Sequence, residues 1–318
     1  MGGVLAFEFY NWHYFFGELV GGITIGSLYA LIALGYTMVY GVLKLLNFAH
    51  GDVYMVGAYI GWFVLNALGS PLKPIMPLVP LLLLAFAASM AGCSILGVVI
   101  ERFAYRPLRK APRIAPLISA LGVSFFLEQT AVLLWGSTPR TYDTYDLRGG
   151  ELFHNITIGN FSVAYVQIFV FVAAALLMVA LSFFVWRTTL GKAMRAVSVD
   201  PEAASMMGID VDRVISFTFL LGSALAGAAG VMTGLIFQSL NPYMGFGAGL
   251  KAFTAAVVGG IGNIGGAMVG GLVIGLGETF TSGYLSSQFQ DLIVFSVLIV
   301  FMLFRPTGIR GTPLLQKV

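Results

Sequence analysis

Polar and apolar positions alternate on a coarse scale along this chain: long apolar runs are separated by short polar breaks, and most runs approach the roughly 20 residues of a membrane-crossing helix. The runs are Val20–Val42, Tyr54–Leu68, Pro77–Ile100, Ala115–Trp135, Val163–Trp186, Val214–Phe237, Met268–Phe280 and Leu292–Phe304. A further run, Phe253–Ile261, is short and leads into Gly262-Asn263-Ile264-Gly265-Gly266, which predicts a short or discontinuous helix. The expected fold is all-α, a polytopic transmembrane helical bundle of about eight to nine spans, with residues 1–318 forming a single transmembrane domain.

One break is too long and too polar to be a simple turn. Residues 187–213 read RTTLGKAMRAVSVDPEAASMMGIDVDR. Asp200 is a good N-cap, Pro201 fits the first helical position, and Gly208 stands where a left-handed C-terminal residue belongs, which predicts a helix over Pro201–Met207. A second short helix is predicted before it, with Leu190, Met194 and Val197 on one side and Lys192 and Arg195 on the other. The segment is thus two short amphipathic helices joined by an elbow.

Basic residues orient the bundle. If the N-terminus is outside and the short run crosses, the inner side holds Lys44, Arg102, Arg106, Arg109, Lys110, Arg113, Arg187, Lys192, Arg195, Arg213, Arg305, Arg310 and Lys317. Of the 17 basic residues, only Lys73, Arg140, Arg148 and Lys251 are left outside. The 187–213 elbow is therefore expected in the cytoplasm, and the loop 136–162 outside. That loop combines Gly149-Gly150 with Leu152, Ile156, Ile158 and Phe161 among polar residues, a strand-like pattern.

Composition narrows the class further. At 58% hydrophobic, 10% charged and a mean hydropathy of +0.91, the chain lies outside the soluble globular range. Its 40 glycines suit close helix approach in lipid, and continuously apolar runs disfavour a β-barrel. The net charge of +3 comes from residues at span ends, so nothing points to nucleic acid; the expected surroundings are membrane lipid. Cys93 is the single cysteine, and His13, His50 and His154 lack metal-ligand spacing, so no metal, cofactor or intramolecular disulfide is expected. Residues 1–17 carry Glu8 and many aromatics but no Lys or Arg, unlike a cleavable signal peptide, and residues 1–19 read as an interfacial lead-in.

Several polar residues stand out within or between the runs. Asn47-Phe48-Ala49-His50-Gly51-Asp52 is either a turn at the inner surface or unwound backbone lining a pathway. Glu128 and Gln129 lie inside a span, where a carboxylate must be paired or face water; a structural and a pathway role both fit. Asn241 precedes Pro242 near the short run and is a further pathway candidate. Gly222, Ala226, Gly230 and Gly234 make a smooth stripe, either a fixed internal contact or a sliding surface. The Glu101–Arg109 segment reads as a topology anchor or as a second partner contact. No basic residue marks a carboxylate clamp in mid-span, so a permissive pathway is expected.

Glu202-Ala203-Ala204, followed after three residues by Gly208, resembles the EAA loop of ABC-importer permeases. Three more stretches sharpen the likeness: Gly35–Gly41 with Asn47–Asp52; Glu101–Arg109; and Asn241-Pro242 with Phe253–Gly266. Together, over about 21–308 and in family order, they closely resemble the LivH-type permease of branched-chain amino acid ABC importers. The resemblance implies an inner-membrane subunit that pairs with a related second permease, two cytoplasmic ABC ATPase subunits and a periplasmic or extracellular solute-binding protein. It implies branched-chain amino acids as cargo, with urea or amides carried by related permeases. It also makes Gly191, Lys192, Arg195, Asp200, Pro201, Glu202, Ala203, Ala204 and Gly208 the ATPase-coupling loop. An ion-coupled secondary transporter is the reading from another class, but the spans show few paired ionisable residues. The chain lacks a G-x-x-x-x-G-K-[ST] stretch, and Gly191-Lys192 is followed by Ala193, so it is not expected to be an enzyme and any ATP hydrolysis belongs to a partner.

The topology yields a direct test. Cysteines introduced at Ser198 and Thr144 should label from opposite sides of the membrane, inner and outer respectively. Labelling of both by one impermeant reagent in sealed cells would reject the orientation.

Overall fold

The structure is a computed structural model that describes residues 12–72, 78–109, 111–112, 114–142, 155–158 and 161–311. Much of the expected outer loop, the first part of the lead-in, and Lys73, Lys110, Arg113, Thr144, Arg148, His154 and Lys317 lie outside the described residues.

Among the described residues the chain forms α1 (Trp12–Leu43), α2 (His50–Leu72), α3 (Leu78–Ile100) and α4 (Ile114–Trp135), then short strands β1 (Arg140–Thr141), β2 (Asn155–Ile158) and β3 (Phe161–Ala164). It continues with α5 (Tyr165–Arg187), α6 (Thr189–Val199), α7 (Pro201–Met206), α8 (Val211–Phe237), β4 (Ser239–Leu240), α9 (Met244–Gly259), α10 (Ile264–Tyr284) and α11 (Gln290–Phe304). The chain is a multi-pass helical membrane protein, and every predicted run falls on a helix. β1 pairs antiparallel with β4 and β2 with β3, so the strands only tie loops together and build no sheet core.

Several helices start earlier than the apolar runs suggest. Residues 12–19 of the expected lead-in form the first turns of α1. α9 begins at Met244, nine residues before the predicted run, with Gly245, Gly247 and Gly249 in its first turns. Lys251, expected in an outer loop, consequently stands halfway along α9. The helix ends at Gly260 and Gly262, whose φ values of 107° and 93° break the chain before Asn263 caps α10 through the Gly266 amide.

α9 is short, but it traverses the bundle. Its start follows β4 and shares a cavity with Asn241 and Asp291, while its end meets the chain after α11, where the Ile309 amide donates to the Val258 carbonyl. α10 then returns towards Tyr14 at the start of α1, whose hydroxyl donates to the Gly283 carbonyl. One end of the bundle therefore carries the start of α1, β1, β4 and the α10–α11 turn. The other carries the α6–α7 elbow and the residues after α11.

α8 is the central helix, enclosed by α1, α2 and α3. Its stripe is an internal contact: Gly222 lies against the Gly35 backbone, Gly230 against that of α2, and Gly234 against the ring of Tyr142. Where α2, α3 and α8 cross, a Cβ on Gly57 would stand 2.6 Å from the Cα of Gly227, and one on Gly227 would stand 2.7 Å from the Ser89 carbonyl oxygen. The Ser89 hydroxyl donates to the carbonyls of Gly57 and Gly227 at 2.8 and 2.9 Å, so a single small polar side chain joins α2, α3 and α8. Gly22 and Gly26 of α1 meet Leu272, Gly275 and Leu276 of α10 in the same way.

These contacts set a measurable cost for added volume. Gly227→Val should destabilise the purified protein by about 1–3 kcal/mol, read as a lower unfolding midpoint in detergent. Gly277→Ala, with nothing within 4 Å of the added methyl, should leave the midpoint unchanged or raised. Equal midpoints for Gly227→Val and the parent chain would contradict the packing.

Candidate functional site

The elbow is built much as its punctuation predicts. The Asp200 carboxylate accepts from the Glu202 and Ala203 amides at 3.0 and 3.1 Å, Pro201 opens the helix, and Gly208 adopts φ 83° after the last turn. Upstream, the Thr188 hydroxyl accepts from the Gly191 amide and caps α6. Gly191 sits against the carbonyl of Val185 with no room for a side chain, while Met194, Val197 and Ala204 are buried towards the bundle. Leu190 departs from expectation. The tight turn at Thr188 sets Gly191 rather than a side chain inward, and Leu190 is left at the exposed edge. Arg195 also turns away from solvent: its guanidinium donates to the Val185 carbonyl and lies 4.7 Å from the ring centre of Trp186.

What remains outward is Lys192, Pro201, Glu202, Ala203 and Gly208, together with three large apolar side chains. Val199, Met206 and Met207 are 86%, 87% and 83% exposed. The elbow thus presents an apolar patch beside a carboxylate at the polar end of the molecule.

A charge network, buried at Glu101 and half-exposed at Asp212, joins this elbow to the bundle. α3 widens into a π-helical turn over Glu101–Tyr105, and the Glu101 carboxylate, 1% exposed, accepts from the Ser216 hydroxyl at 2.7 Å and from Arg109. Arg109 and Arg106 both donate to Asp212 in the first turn of α8. Glu101 and Arg109 therefore act as an internal strut between the end of α3 and the helix that leaves the elbow, while Arg102 and Arg106 keep exposed positions suited to anchoring.

At the opposite end a cavity of about 310 Å³ opens between α1, α2, α8, α9 and α11. Asn241 lines it, its Oδ1 accepting from the Tyr243 amide at 2.9 Å. Ile25, Leu28, Ile32, Phe237 and Met244 form its apolar wall; Tyr29, Tyr54 and Thr233 add hydroxyls. Lys251 also lines it. Its ammonium lies 2.7 Å from Glu278 of α10 and 2.8 Å from Asp291 of α11. The expectation that no basic residue stands in mid-span is corrected here: Lys251 was hidden by the late start assigned to α9.

The other pathway candidates lie elsewhere. Asn47 and His50 are buried in a turn that enters α2, with the Tyr105 hydroxyl donating to Asn47 Oδ1 at 3.1 Å and the His50 ring edge-on to Tyr36. Gly35 leaves the space that the His50 imidazole occupies. Glu128 is half-buried and Gln129 exposed on α4. One turn before Glu128, the Ser124 hydroxyl donates to Asp52, a buried carboxylate at the start of α2. Asn241 is the candidate that the cavity takes up. Lys251, Glu278 and Asp291 went unmarked because their partners lie on three different helices, and no spacing along the chain brings them together.

A polar-rimmed cavity at one end of a multi-pass helical bundle and an exposed, capped elbow at the other are the parts of a membrane transport subunit. The family model described as branched-chain amino acid transport system / permease component matches residues 18–303, and the chain belongs to that family. It is 44% identical over 306 residues to the high-affinity branched-chain amino acid transport system permease protein BraD of Pseudomonas aeruginosa, covering 96% of this chain and 99% of that one. To the permease protein LivH of Escherichia coli it is 43% identical over 311 residues, 96% of this chain and 98% of the relative. A probable branched-chain amino acid transport permease protein of Methanocaldococcus jannaschii is 29% identical over 303 residues, 92% and 91% of the two chains. The chain is accordingly a transport permease and not an enzyme.

The strut can be tested separately from transport. Arg109→Met leaves the Glu101 carboxylate buried without its cation and should cost about 3–5 kcal/mol. Arg106→Met removes a pair whose side chains are 44% and 47% exposed and should cost under about 1 kcal/mol. Thermal unfolding of the two variants in detergent checks the order; equal midpoints would show that Arg109 carries no special load.

Proposed function

We propose that this chain is the membrane-spanning permease subunit of an ATP-driven ABC importer in the inner membrane of a bacterial cell, carrying branched-chain or similar hydrophobic amino acids into the cytoplasm. The observation that carries the reading is the exposed elbow. Val199, Met206 and Met207 stand clear of the bundle on two helices fixed by the Thr188 and Asp200 caps and the turn at Gly208. Apolar side chains held rigidly in water at a polar end mark a docking surface. A cytoplasmic ATPase is the partner this subunit requires, because its own sequence has no phosphate-cradling loop.

In this reading the coupling loop is 187–213, with Glu202, Ala203 and the apolar trio facing the ATPase, and Asp200, Pro201 and Gly208 setting the angle of α7. Gly191 and Arg195 brace α6 against the end of α5, and Lys192 faces outward. Two ATPase subunits would be engaged, one by this chain and one by a related second permease. A solute-binding protein would deliver cargo at the end bearing β1 and β4, where the cavity opens. The names of the relatives support branched-chain amino acids over urea or amides.

Two substitutions test the coupling role. Glu202→Lys reverses the exposed charge, and Gly208→Val forces a β-branched side chain into φ 83°. Both variants should insert normally, lose ATPase copurification and reduce uptake more than tenfold. Uptake at the parent rate in both would show that the elbow is not the coupling element.

A further inference from the structure

The cavity between α1, α8, α9 and α11 holds a charge arrangement that a path for a neutral solute does not need. Lys251 reaches two carboxylates from different helices: Glu278, 7% exposed, and Asp291, whose side chain is 67% exposed at the rim. Formally, one positive charge faces two negative ones, so the site is one cation short of balance. Glu278 holds Lys251 from the buried side. Asp291 holds it from the open side, where water or an incoming group can take its place.

The rest of the lining supplies what a third component needs. Ile25, Leu28, Ile32, Phe237 and Met244 provide an apolar wall within side-chain reach of the triad. The volume of about 310 Å³ lies at the low end of the roughly 300–1,000 Å³ typical of small-molecule sites. Asn241 and Asp291, both exposed, place the mouth at the end away from the elbow, the side where a solute would enter.

We propose that this cavity is a transit site for a zwitterionic α-amino acid, whose carboxylate takes the place of Asp291 on the Lys251 ammonium while its own ammonium pairs with the released Asp291 and its apolar side chain lies against the Ile25–Leu28–Phe237 wall. The exchange gains one ion pair, that between the incoming ammonium and Asp291. Two carboxylates face Lys251 before and after it, and the incoming ammonium supplies the missing cation. Such a site discriminates strongly against solutes lacking either charge, because a buried charge left without its partner is costly. It binds weakly in absolute terms, because the carboxylate only replaces Asp291 on Lys251 and the one pair gained lies at the exposed rim, where water screens it. The cargo assignment rests on the transport reading above; the requirement for both charges does not.

Two measurements test it. In the first, the permease pair in detergent is titrated with leucine, with leucinamide, which lacks the carboxylate, and with 4-methylpentanoate, which lacks the ammonium. Leucine should bind with a dissociation constant in the millimolar range, and each analogue at least tenfold more weakly. The neutral variant Lys251→Met/Glu278→Gln/Asp291→Asn should fold, because it removes the whole triad and leaves no unpaired charge. It should show no preference for leucine over the analogues, whereas Lys251→Arg should keep that preference.

In the second, proteoliposomes holding both permeases, the ATPases and the binding protein are assayed for leucine uptake. The triple variant should keep binding-protein-stimulated ATP hydrolysis while uptake falls at least tenfold. Equal binding of leucine and leucinamide by the parent chain, or parent-like selectivity and uptake in the triple variant, would overturn the proposal. Leucine selectivity in the titration without leucine uptake by the parent complex would instead overturn the transport reading and leave the site standing.

Discussion

Helices in lipid gain nothing from burying apolar side chains against one another, so they hold together only where their backbones come close enough for dispersion contact and occasional hydrogen bonds. Much of this structure follows from that constraint. α8 is enclosed because Gly222, Gly227 and Gly230 let α1, α3 and α2 approach it at backbone distance, and Ser89 converts one of these crossings into a three-helix joint. Most of the large exposed side chains on α4, α5 and α11, such as Leu133, Phe183 and Leu303, stand on the outside of the bundle, where lipid is an adequate partner. Several of the polar side chains inside the spans are small and satisfy themselves within their own helix. The Thr24, Ser27, Thr218 and Thr254 hydroxyls all donate to the carbonyl four residues back.

The same constraint explains how the elbow is attached. α6 and α7 are too short to be stable alone, and their anchorage is a handful of caps and three buried side chains. The firmer link is α8, which leaves the elbow at Val211 and at once meets the α3 charge strut through Asp212 and Ser216. Movement of the elbow would therefore act on the central helix, with Glu101 and Arg109 as the fulcrum. The π-helical turn at Glu101–Tyr105 brings Glu101 into that position. It is the kind of local departure from α-helical geometry that is common at functional sites.

The apolar runs gave the number and order of helices because a bilayer allows little else of that length to be apolar and ordered. The elbow was legible for a different reason: capping depends on adjacent residues, so Asp200, Pro201 and Gly208 carry their geometry within the local sequence. What could not be read depended on contacts distant in sequence. Gly245 and Gly249 look like a linker until Gly51 of α2 is seen lying against them, and only then does α9 extend far enough to contain Lys251. Glu278 and Asp291 look like unremarkable charges near helix ends until both are found on one ammonium. His50 was a natural pathway candidate by residue type, yet the missing side chain at Gly35, 15 positions earlier, is what makes room for it in the core.

The position of Lys251 follows from the glycines that concealed it. A lysine halfway along a membrane helix is tolerated only if its ammonium reaches a counter-charge or water. Gly245 and Gly249 press one face of α9 onto α2, which fixes the rotation of the helix. Lys251, 100° per residue further round, is thereby turned from α2 towards α10 and α11. A side chain at either glycine would push α9 outward by part of its own width and separate Lys251 from Glu278, whose 2.7 Å contact has little slack. Close backbone packing and the charged lining of the cavity are thus consequences of one glycine-rich turn.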